Sequence, residues 1–148
     1  MTIYSSSLTG TISLLSKMGI PRYAIRAATT NAELNLAFLQ GPNPPKTSSP
    51  ILDIAGTTSN GPADLLLQSS FEGIFDVSTS HANQAGFSSG SMPESDPLGL
   101  GRQQHIDFST STRSRKEGRV YWGDLDDGRE VGRVELSTSN GPASLQIQ

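Results

Sequence analysis

The sequence predicts an all-β protein built as a solenoid-like stack of short strands. Three observations support this fold class: a short segment recurs along the chain, apolar and polar residues alternate inside it, and the composition favours strands and turns. The 148 residues include 15 glycines and 9 prolines, and only 17% are charged. A helical protein usually covers its surface with lysine, glutamate and arginine, which are good helix formers, whereas serine and threonine fill that role here.

The recurring segment has the consensus Ser-Thr-Ser-Asn-Gly-Pro-Ala-x-Leu. Its best copies, residues 57–65 and 137–145, share the six consecutive residues Thr-Ser-Asn-Gly-Pro-Ala. Successive copies follow at steps of 21 to 31 residues, which fits a unit of about 21 residues with insertions. This period predicts about six degenerate rungs, none of which buries its own apolar face. The remaining copies match less well and span residues 6–14, 28–36, 78–86 and 109–113.

Alternation within the last copy predicts half-buried strands. Val134 and Leu136 precede its turn, and Ala143, Leu145 and Ile147 follow it, with polar residues between them. A period of two residues places one set of side chains on each face of a strand. We therefore expect these apolar residues to lie in the core.

Asparagine and glycine mark the turns between strands, because both residues tolerate positive φ. Asn-Gly is also the best short-range signal for an antiparallel hairpin, so an antiparallel β-sandwich is the alternative fold. Pro62 and Pro142 follow the turns and cannot donate to a strand ladder, which favours the corner of a solenoid. The predicted turn residues are Asn31, Asn60, Gly61, Asn140 and Gly141.

The chain is expected to form one domain, residues 1–148. Two loop insertions are predicted, one proline-rich near residues 41–50 and one rich in serine and glycine near 87–105. Matching copies of the repeat lie on both sides of each insertion. We therefore interpret them as loops of one domain and not as linkers.

Composition also limits the chemistry and the surroundings of the protein. There is no cysteine, which excludes disulfides, thiolate metal sites and cysteine nucleophiles. The net charge of −3 argues against nucleic acid or an anionic membrane as a partner. The sequence has no signal peptide, no apolar run long enough to span a bilayer and no Asn-x-Ser/Thr acceptor. These features favour a cytoplasmic location.

Two further segments carry a family resemblance. Residues 71–80 read Phe-Glu-Gly-Ile-Phe-Asp-Val-Ser-Thr-Ser, and residues 118–124 read Gly-Arg-Val-Tyr-Trp-Gly-Asp. Together with the repeats at 57–65 and 137–145, they resemble a fungal domain of unknown function, frequent in mushroom-forming (basidiomycete) fungi, with adhesin-like Ser-Ser-Asn-Gly repeats. The resemblance covers residues 6–147. It implies a right-handed parallel β-solenoid, as in bacterial adhesin-like domains, and it carries over no catalytic residue.

The densest group of carboxylates is the candidate metal site. Calcium prefers oxygen ligands of this kind. The spacing departs from an EF-hand, because Gly128 falls at the third ligand position, so an acidic turn is the favoured interpretation. Paired carboxylates are also the groups that hydrolyse glycosidic bonds. The candidates are Asp124, Asp126, Asp127 and Glu130.

Other reactive side chains give no catalytic or cofactor motif. His81 occupies a turn of the repeat, His105 adjoins the second insertion, and no Gly-x-Ser-x-Gly elbow or phosphate-binding loop is present. No catalytic residue and no cofactor are predicted. A short basic run is interrupted by Glu117 and lacks interleaved aromatic residues, so a solvated loop is expected there. The run consists of Arg113, Arg115, Lys116 and Arg119.

The favoured function is that of a non-enzymatic, adhesin-like interaction module that binds protein or carbohydrate through stacked polar side chains. The alternative is a polysaccharide-active enzyme, a glycoside hydrolase or lyase, on the same fold. The sequence ends at Leu145-Gln146-Ile147-Gln148, in mid-strand and without a polar cap. Because an uncapped rung exposes unpaired backbone, we expect either end-to-end homo-oligomerisation or a chain that is truncated from a longer protein.

Overall fold

The computed structural model describes residues 2–5, 8–14, 22–40, 50–80, 82–90, 96–124 and 130–148. All regular secondary structure in these ranges is β-strand, so the all-β prediction is confirmed. No stretch of the described chain forms a helix with the length and hydropathy needed to cross a membrane. The strands are β1 (Thr2–Ser5), β2 (Leu8–Leu14), β3 (Arg22–Thr29), β4 (Leu34–Gln40), β5 (Ile51–Thr58), β6 (Ala63–Leu67), β7 (Gly73–Thr79), β8 (Ala85–Ser89), β9 (Gln104–Ser111), β10 (Arg115–Trp122), β11 (Gly132–Thr138) and β12 (Ala143–Ile147).

The strands form two sheets. The seven-stranded sheet has the order β1-β3-β5-β11-β7-β10-β9, and the five-stranded sheet has the order β2-β4-β6-β12-β8. Five pairs of strands that follow each other in the chain place one strand in each sheet, namely β1–β2, β3–β4, β5–β6, β7–β8 and β11–β12. Among the described strands, all pairings are parallel except those of β10 with β7 and with β9.

The core lies between the sheets and follows the predicted alternation. Val134 and Leu136 of β11 are buried, as are Ala143, Leu145 and Ile147 of β12. They belong to one apolar cluster that draws side chains from both sheets. The expectation of half-buried strands in this part of the chain is confirmed.

The last strand pair of the chain is not the last pair of the sheets. Strand β11 lies between β5 and β7, and β12 lies between β6 and β8. The two Thr-Ser-Asn-Gly-Pro-Ala segments are therefore direct neighbours, with Thr138 beside Thr58 and Ala143 beside Ala63. Rungs stacked in chain order would have separated these segments.

Neighbouring corners contact each other through three side-chain hydroxyls and, in two cases, through a proline carbonyl. Pro62 and Pro142 lie outside the strands and accept hydrogen bonds from the backbone amides of Leu34 and Ala63 at 2.9 and 3.0 Å, so their missing N–H groups cost no ladder bond. A threonine near the end of a strand donates its hydroxyl to a carbonyl of the neighbouring corner. These bonds join Thr58 to Ala32 (2.9 Å), Thr138 to Gly61 (3.0 Å) and Thr79 to Gly141 (2.7 Å).

The corner glycines are required for space and not for positive φ. The described residues with positive φ are Gly99, Gly101 and Gly123. The prediction that Asn-Gly occurs at the corners because it tolerates positive φ is therefore wrong. A Cβ added at Gly61 would lie 2.3 Å from the Ala32 carbonyl oxygen, and one at Gly141 would lie 2.2 Å from the Gly61 oxygen. Close stacking of neighbouring corners therefore excludes a side chain at both positions.

Strands β9 and β10 form an antiparallel hairpin at the edge of the larger sheet. The hairpin contains residues 109–113, which the repeat predicted as a degenerate rung. Its turn lies over the corner between β7 and β8, where Thr79 and Ala85 donate backbone N–H groups to the carbonyls of Ser114 and Arg113 at 2.9 and 2.8 Å. The segment resembles the repeat in sequence but covers a rung instead of forming one.

Of the two predicted loop insertions, the structure describes the second in part, and there some of the residues form strands. Residues 41–49 lie outside the described part of the chain. In the second insertion, residues 87–89 belong to β8 and pair with β12, and β9 begins at Gln104. Phe87 stacks on Phe75 with ring centroids 4.7 Å apart, so a core contact holds part of the predicted loop as a strand.

Candidate binding groove

The predicted carboxylate cluster is only partly described. Asp124 is exposed in a bend after β10, and Asp126 and Asp127 lie outside the described residues. Glu130 forms a salt bridge with Arg22, which also donates to Asp53 at 2.7 Å. No group of three or more histidine, aspartate or glutamate side chains suited to a metal occurs in the described ranges. The favoured interpretation of the full cluster, an acidic turn that binds no metal, stays a prediction.

A groove of about 420 Å³ lies on the larger sheet, between outward-facing side chains and above a few core residues. It crosses the four strands β11, β7, β10 and β9, which supply outward-facing side chains between buried ones. On β7, for example, exposed Ile74 and half-buried Asp76 alternate with buried Phe75 and Val77. The groove is lined by Ile74, Phe75, Asp76, Asp107, Phe108, Ser109, Arg115, Glu117, Gly118, Arg119, Arg133 and Val134.

One row of the groove places cations on both sides of an apolar residue. Arg133 of β11 is the cross-strand partner of Ile74, which is in turn the partner of Arg119 on β10. Arg119 is then paired with Asp107 of the edge strand. Ile74 is 36% exposed, so the row presents an apolar centre between two guanidinium groups and a carboxylate beyond them.

The next row brings three carboxylates side by side, Glu135, Asp76 and Glu117. Directly opposed like charges destabilise a sheet, and here arginines offset the repulsion. Arg115 Nε donates to Asp76 Oδ1 at 3.1 Å and its Nη2 to Oδ2 at 2.8 Å, while Nη2 lies 3.5 Å from Glu117 Oε2. These contacts, the hydrogen bonds to Asp76 first, raise the pKa of Arg115. Arg133 Nε donates to Glu135 Oε1 at 2.6 Å.

An aromatic pair lies on the hairpin one outward position beyond Arg119 and Asp107 of the groove lining. Tyr121 and His105 are cross-strand partners, and their rings stack with centroids 5.1 Å apart. The Tyr121 hydroxyl donates to Asp107 Oδ2 at 3.0 Å, and this bond is the main cause of a raised Tyr121 pKa. Trp122 points to the other face, is buried, and donates its indole N–H to the Ser69 carbonyl at 2.9 Å.

A β-bulge shapes the floor of the groove. The register of β9 against β10 shifts between Glu117 and Gly118, which leaves Ser109 as the extra residue. Bulges increase the local twist and bend of a strand. At Gly118 a Cβ would lie 2.2 Å from the Asp107 carbonyl oxygen and 2.8 Å from Phe75 Cζ, so glycine permits this close approach.

Comparison with known proteins gives little beyond the geometry. No family model matches the chain, and no curated protein matches it. It is similar to one solved structure, described as a "putative cell adhesion protein" from Clostridium sporogenes, with 8% sequence identity and a TM-score of 0.38. That match covers 86% of this chain and 56% of the other.

Sequence reasoning missed most of the groove. It assigned Arg115 and Arg119 to a solvated loop, whereas residues 115–122 form strand β10. The alternation was present in the sequence: Arg115, Glu117, Arg119 and Tyr121 face outward, and Gly118, Val120 and Trp122 are buried between them. Counting the period over these eight residues identifies the strand and the outward position of its charges.

Proposed function

We propose that the protein is a non-enzymatic, adhesin-like interaction module on a right-handed parallel β-solenoid, and that the outer groove binds its protein or carbohydrate ligand. The observation that carries the proposal is the groove itself. Charged side chains from four strands line one open depression, and ion pairs and hydrogen bonds fix their orientation. Binding groups held in place before the ligand arrives lose little conformational entropy when it binds.

The strand arrangement supports the solenoid part of the proposal. Five strand pairs each contribute one strand to either sheet, and the pairs stack on one another with parallel pairing in both sheets. An antiparallel sandwich, in contrast, is built from hairpin-connected neighbours. Among the described strands, only the pairings of β10 are antiparallel, and of these only the pairing with β9 is a hairpin.

The groove carboxylates are engaged in ways that favour binding over catalysis. A glycosidase needs one carboxylic acid able to give up a proton and a second carboxylate beside the scissile bond. Both Asp76 oxygens accept from Arg115, and Asp107 accepts from the Tyr121 hydroxyl. Hydrogen bonds of this kind fix the orientation of the carboxylates, which suits recognition of a ligand.

The test is a binding screen with matched variants of the whole chain. Glycan arrays and pull-downs should identify a ligand that is lost in the double variant Arg119→Ala/Arg133→Ala. Arg26→Ala is the control, because Arg26 is exposed on β3 of the same sheet and lies outside the groove. Equal capture by wild type and the double variant would count against the groove as the binding site.

The enzyme alternative is tested on the same material. If the chain cleaves a polysaccharide and Asp76→Asn or Glu117→Gln abolishes the cleavage, a glycoside hydrolase or lyase becomes the correct interpretation. End-to-end association is a separate part of the proposal. The last strand of the chain, β12, is paired on both sides, so the predicted reason, an uncapped last rung, is wrong, and the outer strands of the smaller sheet that could associate are β2 and β8. Light scattering over a range of protein concentrations measures the association. A strict monomer at high concentration would remove it.

A further inference from the structure

We propose that the ligand of the outer groove is a neutral oligosaccharide that lies across the strands, with its hydroxyls bonded to the paired arginines and carboxylates and one ring on the Tyr121 platform. This inference rests on the proposed binding function and narrows it to one class of ligand. Four features of the groove support it, namely its charge balance, its position on the sheet, its apolar contacts and its length.

The charge of the residues that line the groove is balanced, with Glu135, the partner of Arg133, lying just outside the lining. The lining includes three arginines, at 115, 119 and 133, and three carboxylates, at 76, 107 and 117. A site for a polyanion would present an excess of cations, and a site for a basic peptide would present an excess of carboxylates. Guanidinium donors next to carboxylate acceptors instead suit hydroxyl groups, each of which donates one hydrogen bond and accepts others. Charge-assisted bonds of this kind are about twice as strong as neutral ones.

The position of the groove on the sheet disfavours an extended peptide. Peptides usually join a sheet at an edge, where free backbone groups pair with them. Three of the four strands that this groove crosses, β11, β7 and β10, already bond to neighbours on both sides, and only β9 has a free edge. Side chains therefore supply the recognition, and a ligand rich in hydroxyls uses them better than a peptide backbone does.

The apolar contacts match the C–H faces of a sugar ring. Ile74 forms an apolar spot between Arg133 and Arg119. Tyr121 lies on the groove face of β10, two residues after Arg119, and its ring orientation is fixed by stacking on His105 and by the bond to Asp107. Four strands at the usual spacing give the groove a length of about 14 Å, which suits a short oligosaccharide better than a single ring.

The test is calorimetric titration of the whole chain with the neutral tetrasaccharides cellotetraose, laminaritetraose and mannotetraose. At least one should bind, with an affinity that changes little between about 50 and about 500 mM NaCl, because a neutral ligand releases no counterions. Arg119→Ala should weaken it about tenfold, as expected for a lost charge-assisted bond. Tyr121→Ala should weaken it more than Tyr121→Phe, which keeps the ring, and Arg26→Ala should leave it unchanged.

The ways in which the test can fail are distinguishable. Binding only to an acidic tetrasaccharide such as tetragalacturonate, with a steep loss of affinity in salt, would overturn the neutral-sugar inference. If no tetrasaccharide binds but a protein is captured, and this capture is lost in Arg119→Ala, the neutral-sugar inference is also overturned. The proposed interaction module then stays intact. If no glycan and no protein binds in a way that depends on Arg119 and Arg133, both proposals fall.

Discussion

The side-chain amide of Asn140 donates to Oδ1 of Asn60 at 2.7 Å, although the two residues are 80 positions apart in the sequence. The same bond recurs at the next corner, where Asn60 Nδ2 donates to Asn31 Oδ1 at 2.6 Å. An amide offers both donors and acceptors, so the central residue bonds in both directions. The asparagine of the repeat therefore connects neighbouring corners in addition to lying in a turn.

Asn60→Ala should lower stability more than Asn140→Ala does. Asn60 makes both bonds of the ladder and Asn140 makes one. At about 0.5–1.5 kcal/mol for each net hydrogen bond, we expect a loss of about 1–2 kcal/mol at Asn60 and about half of that at Asn140. Urea unfolding followed by circular dichroism measures both values. Equal losses of stability would show that the second side-chain bond of Asn60 does not stabilise the protein.

Alanine at the corner glycines should be costly. Gly61→Ala and Gly141→Ala bring a methyl group within 2.3 and 2.2 Å of a backbone oxygen, which cannot move aside as a side chain can. Each should cost about 3 kcal/mol, the upper range for overpacking. The control is Gly86→Ala in β8, where the added Cβ would lie 3.7 Å from its nearest neighbour. Its stability should stay the same or rise by about 0.5 kcal/mol, and thermal unfolding of the three variants decides the point.

The corners and the core could be predicted from the sequence because both depend on local patterns. Alternation at Val134 and Leu136 reports burial directly, and Asn-Gly-Pro is incompatible with the middle of a strand. The position of β11 beside β5 could not be predicted in this way. Copies of one repeat present similar edges, so the sequence does not specify which copies become neighbours.

The groove was harder to predict for a related reason. Asp76, Arg115 and Arg133 come from three strands that are separated along the chain, and only the pairing of β7 with β10 and β11 brings them together. Each residue alone is an ordinary surface charge. Their chemistry arises from the cross-strand register, which a single sequence does not reveal.

A buried ion cluster fixes the loop that leads into β9. The Asp96 side chain has no exposed surface and accepts from the backbone amides of Leu98, Leu100 and Arg102 at 3.0, 3.2 and 3.3 Å. Arg102 Nε donates to it at 2.9 Å, and Arg102 Nη1 donates to Glu72 at 3.2 Å. Hydrogen bonding from Arg102, followed by the amides, lowers the pKa of Asp96 far below its usual range although burial acts in the opposite direction.

Stability should therefore fall in acid through Asp96. A carboxyl whose pKa is lower in the folded state stabilises the protein above its unfolded pKa of about 3.9 and loses that contribution as the pH falls below it. Asp96→Asn should cost about 3 kcal/mol at neutral pH, because it removes the main carboxylate partner of the half-buried Arg102 and leaves it only Glu72. The difference from wild type should shrink as the pH falls from about 5 towards 2, as measured by urea unfolding at each pH.

Asp64→Asn supplies a contrast of opposite sign. Asp64 is exposed on β6, and partial desolvation, followed by the charge of Glu33, raises its pKa. The charged form is therefore disfavoured in the folded protein, and removing it should stabilise the chain at neutral pH, with no effect once the carboxyl is protonated. Parallel pH profiles for Asp96→Asn and Asp64→Asn would contradict the assignment of Asp96 as the stabilising group.

Phe108 closes the end of the core at which the smaller sheet stops. The five-stranded sheet ends at β8, whereas the larger sheet continues into β10 and β9. Phe108 of β9 packs edge-on against Phe75 and Phe87, with ring centroids 5.6 and 5.2 Å apart. Although 46% of Phe108 is exposed, its ring covers part of two others and anchors the hairpin.

Phe108→Ala should therefore cost about 1–2 kcal/mol, since it removes two aromatic contacts and part of a buried side chain. It should also increase association at high concentration, because Phe87 then meets solvent beside the free edge of β8. Leu100→Ala is the control, since Leu100 is 62% exposed and makes no aromatic contact, and it should change neither property. Urea unfolding and light scattering of both variants test this. If Phe108→Ala is as stable and as monomeric as Leu100→Ala, the hairpin does not close the core, and the end-to-end contact has to be sought elsewhere.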